Sequence, residues 1–235
     1  INILTSTIFK VIIVIVTIFA RSILMRQIGE EATGLFSLYT SIIGFLAIAE
    51  LGVGTAITFS MYKPIVNGDK DTVSALYYLY RKIYLIIFTI ILAIGLLLTP
   101  LVPLLAKDNT GMFNIYGTYL LFLSAQLITY LYAHKTSFIN AYLDNYITTT
   151  IHSIGLIIAA ILQISVLYVT KNFTYFFVAI LVGNIFQWVV TGTVFSKRYK
   201  KHINDNKILD KSIKNDVVVK VKALFLHRIG GLLVN

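Results

Sequence analysis

The residues of this chain whose types and spacing could do chemistry are few, and they are charged side chains set in long apolar runs. Lys10, Thr17 and Arg21 stand at offsets of 0, 7 and 11, which at 100° per residue is one stripe of a helix, with Lys10 and Arg21 roughly 16 Å apart along its axis. A charge on a helix inside a bilayer costs about 2.5–3.5 kcal/mol on insertion scales, so such a stripe either snorkels to the interface or meets an anion. Arg26 extends the cationic character past the end of the run, where interfacial anchoring also accounts for it. Glu50 is the single acid inside an apolar run. It can serve as the partner of a packing ion pair, or as a titrating or gating acid whose partner changes between conformations.

Other chemistries lack their residues. With no cysteine there are no disulfides, thiolate nucleophiles or iron–sulfur ligands, and His134, His152, His202 and His227 are too scattered to make a metal set. HExxH, GxSxG, GxxxxGK[ST] and GxGxxG motifs do not occur, so neither a cofactor nor a covalent reaction is expected. Trp188 and the 15 tyrosines could stack on sugars, although belts of Trp and Tyr at the membrane interface explain them as readily. Asn172-Phe173-Thr174 fits a glycosylation sequon, a three-residue match that carries little weight.

The elements that must position these residues follow from composition. Of 235 residues 57% are hydrophobic and 13% charged, with a mean hydropathy of +0.83, whereas a soluble domain is about 25% charged. Water is the wrong solvent for that surface. A bilayer-spanning helix needs about 20 apolar residues, and six complete runs meet the requirement: residues 3–25, 35–60, 83–105, 113–133, 147–169 and 173–195. A seventh begins near Ala223. The runs are continuously apolar rather than alternating, which excludes the strands of a β-barrel. Pro100 and Pro103 end or kink the third run, and Gly52 with Ala56 forms a small-xxx-small pair for a tight helix crossing.

The expected architecture is therefore an all-α polytopic membrane protein: a six-helix transmembrane lobe over residues 1–196, a basic linker over 197–222 and the start of a seventh helix over 223–235. Across six spans, 14 Lys and Arg fall on one side and 4 on the other, which places the N-terminus and the linker in the cytosol. The linker carries nine cations against Asp205, Asp210 and Asp216. It reads as a positive-inside anchor or a surface helix on anionic lipid; without interleaved aromatics or a folded reader, nucleic acid is not an expected partner.

Several short elements carry a resemblance. Arg26-Gln27-Ile28-Gly29 followed by Gly34-Leu35-Phe36-Ser37, Glu50-Leu51-Gly52-Val53-Gly54-Thr55-Ala56-Ile57, Tyr62-Lys63-Pro64 with Asp69, Tyr80-Arg81-Lys82-Ile83-Tyr84 and the run from Lys222 to Gly230 resemble elements of the polysaccharide flippases in the multidrug/oligosaccharidyl-lipid/polysaccharide exporter superfamily. The chain departs from that pattern in having no proline in its first run and a lysine at position 10.

The resemblance implies two pseudo-symmetric lobes opening alternately to cytosol and exterior, of which this chain supplies the first. It also implies a bacterial cytoplasmic membrane and a cargo of polyprenyl-pyrophosphate bearing an oligosaccharide repeat unit for capsule, O-antigen or a similar polymer. Lys10, Arg21 and Arg26 would then receive the pyrophosphate, with Glu50 as gate or ion-pair partner. Membrane lipids, a coupling H⁺ or Na⁺ and polysaccharide assembly proteins complete the expected partners. The physics of carrying a phosphate- and sugar-bearing headgroup through about 30 Å of hydrocarbon asks for such a cationic, polar cleft. Gln126, Asn140, Asn184 and Gln187 are candidate sugar partners, and helix packing explains each equally well. Two rivals are weighed: a cation-coupled multidrug antiporter, in which Glu50 is the coupling acid, and a polytopic polysaccharide polymerase, for which the external loops are short of carboxylates.

Overall fold

The computed structural model describes residues 2–50, 53–106 and 113–204, together with 217, 219 and 223. Residues 205–216, 218 and 220–222 of the expected linker and the whole of the expected seventh helix beyond Ala223 lie outside the described residues, as do Leu51, Gly52 and Lys107.

The described residues are helical throughout and contain no strand. The helices are α1 (Asn2–Gln27), α2 (Glu30–Leu46), α3 (Val53–Val66), α4 (Lys70–Leu98), α5 (Val102–Leu105), α6 (Ile115–Ala141), α7 (Asn145–Thr170) and α8 (Phe173–Arg198). Among the described residues three segments, not the six expected, are both long enough and apolar enough to cross a bilayer: Lys70–Leu105, Asn145–Thr170 and Phe173–Arg198, with α1 and α6 of the first and fourth runs not among them. They fit a membrane protein, and they correspond to the third, fifth and sixth runs of the sequence.

The second run departs from expectation. A continuous span over 35–60 is replaced by two shorter helices, α2 of 17 residues and α3 of 14, separated by a 3-10 turn at Ala47–Glu50. Each half is shorter than the about 20 residues of a typical single crossing. Apolarity reported the run, but it does not encode helix continuity, and Glu50 falls at the break. The third run ends as its prolines suggest: α4 stops at Leu98, a 3-10 turn spans Thr99–Leu101 and the short α5 follows.

Asx caps set the turns. Asp69 accepts from the Thr72 amide at 3.0 Å to start α4, Asn114 from the Gly117 amide at 2.9 Å to start α6, and Asn172 from the Thr174 amide at 2.8 Å to start α8. The last of these gives the Asn172-Phe173-Thr174 triplet a structural role as a helix cap.

Two ends of the bundle are each pinned by aromatic rings. At one end Phe36, Tyr39, Phe122, Phe173 and Phe177 interlock with centroids 4.8–6.3 Å apart, and the Tyr39 hydroxyl donates to the Ile115 carbonyl. At the other, Tyr77, Phe138 and Phe195 pack at 5.3–5.5 Å, Tyr142 meets Tyr199 and His202, and the Asn204 amide donates to Ser74 Oγ at 2.8 Å. Each such ring pair adds about 0.5–1.5 kcal/mol beyond its area. In lipid, where apolar burial drives no helix association, packing of this kind carries the assembly. The same logic brings α7 and α8 together at small residues. A Cβ on Gly183 would lie 2.7 Å from both the Ala159 Cβ and the Gly155 carbonyl oxygen, so only hydrogen fits there.

Tyr39, Tyr80, Tyr84, Tyr119, Tyr130 and Tyr132 are buried inside the bundle. They are core residues, not members of an interfacial belt. Their hydroxyls find partners on neighbouring helices, a use that composition cannot distinguish from a belt.

Candidate functional site

A cavity of about 710 Å³ is bounded by α1, α4, α6, α7 and α8 and by the break after α2. Lys10 and Glu50 both line it. Around them stand Thr129, Thr136 and Ser137 of α6, Thr148, Thr149 and His152 of α7, and Gln187 and Thr191 of α8. Hydroxyl groups both donate and accept, and a wall of them suits a polyhydroxylated ligand or ordered water equally in chemical terms.

Glu50 is held by tyrosines. Tyr84 Oη donates to Glu50 Oε1 at 2.5 Å, Tyr80 Oη donates to Tyr84 Oη at 3.1 Å, and Ser137 Oγ lies 2.7 Å from Tyr80 Oη. Because Tyr80 spends its one proton on Tyr84, Ser137 must be the donor to Tyr80, and all three O–H groups then point toward the carboxylate. Tyr130 borders the same cavity. Among the described residues the hydrogen-bond partners of Glu50 are phenols, those of Tyr84 and Tyr130. Gly54, one turn into α3, makes room for this arrangement: a Cβ there would sit 2.8 Å from Tyr80 Oη and 3.3 Å from Tyr84 Oη.

Arg21 lies against a second cavity of about 420 Å³, with Thr17, Thr40, Gln126, Gln163 and Asn184 in its wall. Its Nη2 donates to Ser37 Oγ at 2.7 Å. Thr17 returns its hydroxyl to its own helix, at 2.7 Å from the Ile13 carbonyl oxygen. Leu156 lines both cavities. The stripe drawn from spacing thus divides between two hollows, Lys10 in one and Arg21 in the other. Arg26 is exposed at the end of α1 and lines neither.

The amide candidates separate by their bonds. Asn184 Nδ2 donates to the Ala125 carbonyl at 2.7 Å, and Asn140 Oδ1 accepts from Thr148 Oγ1 at 2.7 Å. Gln187 Oε1 accepts from Tyr132 Oη and lies 2.9 Å from His152 Nδ1. These amides join helices, and Gln187 also faces the Lys10 cavity. Gln126 borders the Arg21 cavity. Sequence reasoning passed over the tyrosine–serine chain and the threonines at 129, 136, 148 and 149. The signal available was the Thr148-Thr149-Thr150 run and the polar residues recurring along 129–137.

No group of three or more His, Asp or Glu able to hold a metal ion occurs among the described residues. No family model, curated protein or solved structure matches this chain.

Proposed function

We propose that this chain forms one lobe of an alternating-access membrane transporter that flips polyprenyl-pyrophosphate-linked oligosaccharide across the bacterial cytoplasmic membrane for surface polysaccharide synthesis. The observation that carries the reading is the composition of the larger cavity: Lys10, Glu50 and a set of hydroxyl and amide groups brought together between apolar helices. Lys10 is suited to the anionic phosphate group, and the threonines and Gln187 to sugar hydroxyls, while a lipid tail stays in the bilayer. A volume of about 710 Å³ falls within the roughly 300–1,000 Å³ of small-molecule sites, enough for part of such a headgroup. The family resemblance of the Arg26–Ser37 and Glu50–Ile57 elements supports the same cargo. No covalent step belongs to the reading.

The test is flipping of a lipid-linked oligosaccharide by the full chain in proteoliposomes, together with restoration of surface polymer in cells lacking the activity. Lys10→Gln should reduce both by an order of magnitude or more at unchanged protein level. Wild-type transport by Lys10→Gln would refute the cavity's role.

A second reading rests on the Ser137–Tyr80–Tyr84–Glu50 chain. A carboxylate at a helix break, reached by a file of hydroxyls, is suited to carrying the coupling proton, in a flippase or in an antiporter of cationic compounds. Glu50→Gln should then abolish dependence of transport on the proton gradient while leaving downhill cargo exchange intact.

A further inference from the structure

A separate groove of about 510 Å³ lies between α4, α6 and α8. Along α6 its residues, Leu131, His134 and Lys135, occupy the face opposite to Thr129, Ala133 and Thr136 of the Lys10 cavity, with Tyr130 on the boundary between them. Arg81 of α4, Lys135 of α6 and Lys200 after α8 all line this groove, and no carboxylate does. Lys135 is half-buried, with its Nζ 5.8 Å from the centroid of the Phe195 ring. Like charges gathered from three elements without a counter-charge in the lining repel one another, and that cost persists unless an anion joins them.

The groove's remaining wall says where the anion comes from. Leu85 and Trp188, 47% and 41% exposed, turn outward on the apolar exterior of the bundle. Lys200 lies at the end of the bundle where Lys197, Arg198 and Lys201 cluster. A ligand filling this site would have an anionic head at that end and an apolar body running along Leu85 and Trp188. We infer that the Arg81–Lys135–Lys200 groove binds the phosphate headgroup of an anionic phospholipid, whose acyl chains lie against Trp188. Basic pockets between transmembrane helices hold anionic headgroups by the same balance of charge and lipid contact. The site is distinct from the Lys10 cavity and takes a resident lipid, not the cargo.

Trp188 is the only tryptophan in the chain, so its fluorescence reports on this groove alone. The full chain is reconstituted in phosphatidylcholine vesicles containing a small fraction of either brominated phosphatidylglycerol or brominated phosphatidylcholine. The brominated anionic lipid should quench Trp188 more strongly at equal mole fraction. Each neutralised cation should lower that preference about fivefold, so that it falls about 25-fold in Arg81→Gln/Lys135→Gln and survives in Arg81→Lys/Lys135→Arg. Lys200→Gln, at the exposed end of the groove, supplies a single change if the double variant does not assemble, and it should show one such step. Equal quenching by the two lipids overturns the inference, as does a preference unchanged in the glutamine variants. Loss of the preference on adding inorganic phosphate to the aqueous phase overturns it too, because the site would then take a soluble anion.

Discussion

At the scale of the residue, Glu50 and its tyrosines make the sharpest commitments. Tyr84→Phe removes a donor to a partly buried carboxylate and should destabilise the protein by about 1–3 kcal/mol, read as a lower midpoint in thermal unfolding in detergent. Gly54→Ala should do similar damage without removing a polar group, because the added methyl displaces the Tyr80 hydroxyl. Asp69 gives a pH signature: the Thr72 hydroxyl and amide hold its carboxyl below the usual carboxylate range. A depressed carboxyl stabilises the fold in full above its unfolded value of about 3.9 and loses that contribution as the pH falls through its own lower value. Asp69→Ala should therefore cost about 1 kcal/mol at neutral pH, and the gap to wild type should close in strong acid. Lys10, Arg21 and Glu50 were legible in the sequence because a charge within an apolar run is conspicuous on its own. Tyr80, Tyr84 and Ser137 were not, since a tyrosine in such a run has the same composition whether it faces a headgroup or a carboxylate 34 positions away along the chain.

The elements show the same division. Helix α4 begins at Lys70, well before the apolar run that starts at Ile83, where the Asp69 cap sets its first turn. The ends of α7 and α8 follow from their apolar runs and the end of α4 from its prolines, all of which are local. The break between α2 and α3 does not, because hydropathy averages over a window and a four-residue 3-10 turn of Ala, Ile, Ala and Glu leaves that average nearly unchanged. Helix contact is likewise written in pairs. Gly183→Ala should destabilise the α7–α8 crossing by about 1–3 kcal/mol, whereas Gly44→Ala, with nothing within 4 Å of the new methyl, should be neutral or stabilising. Comparing the two melting temperatures checks the crossing against the general effect of replacing a helical glycine.

For the whole molecule, the hydrogen bonds and ring contacts gather residues 67–69, 142–144 and 199–204 at one end and 28–29, 113–115 and 171–172 at the other. Since the chain has no cysteine, single cysteines introduced at Asn67, Leu143 and Lys171 can be labelled cleanly. The first two should react with an impermeant thiol reagent from one side of sealed vesicles, and the third from the other. Labelling of all three from a single side would refute the bundle as a membrane-crossing unit. One side chain has a consequence at this scale. Leu156 is shared by the wall of the Lys10 hollow and the wall of the Arg21 hollow, so its bulk works as a bulkhead between two compartments. Shortening it to alanine would turn two chambers into one corridor with a basic group at either end, and the leak of small solutes through that corridor would measure how tightly the native partition seals.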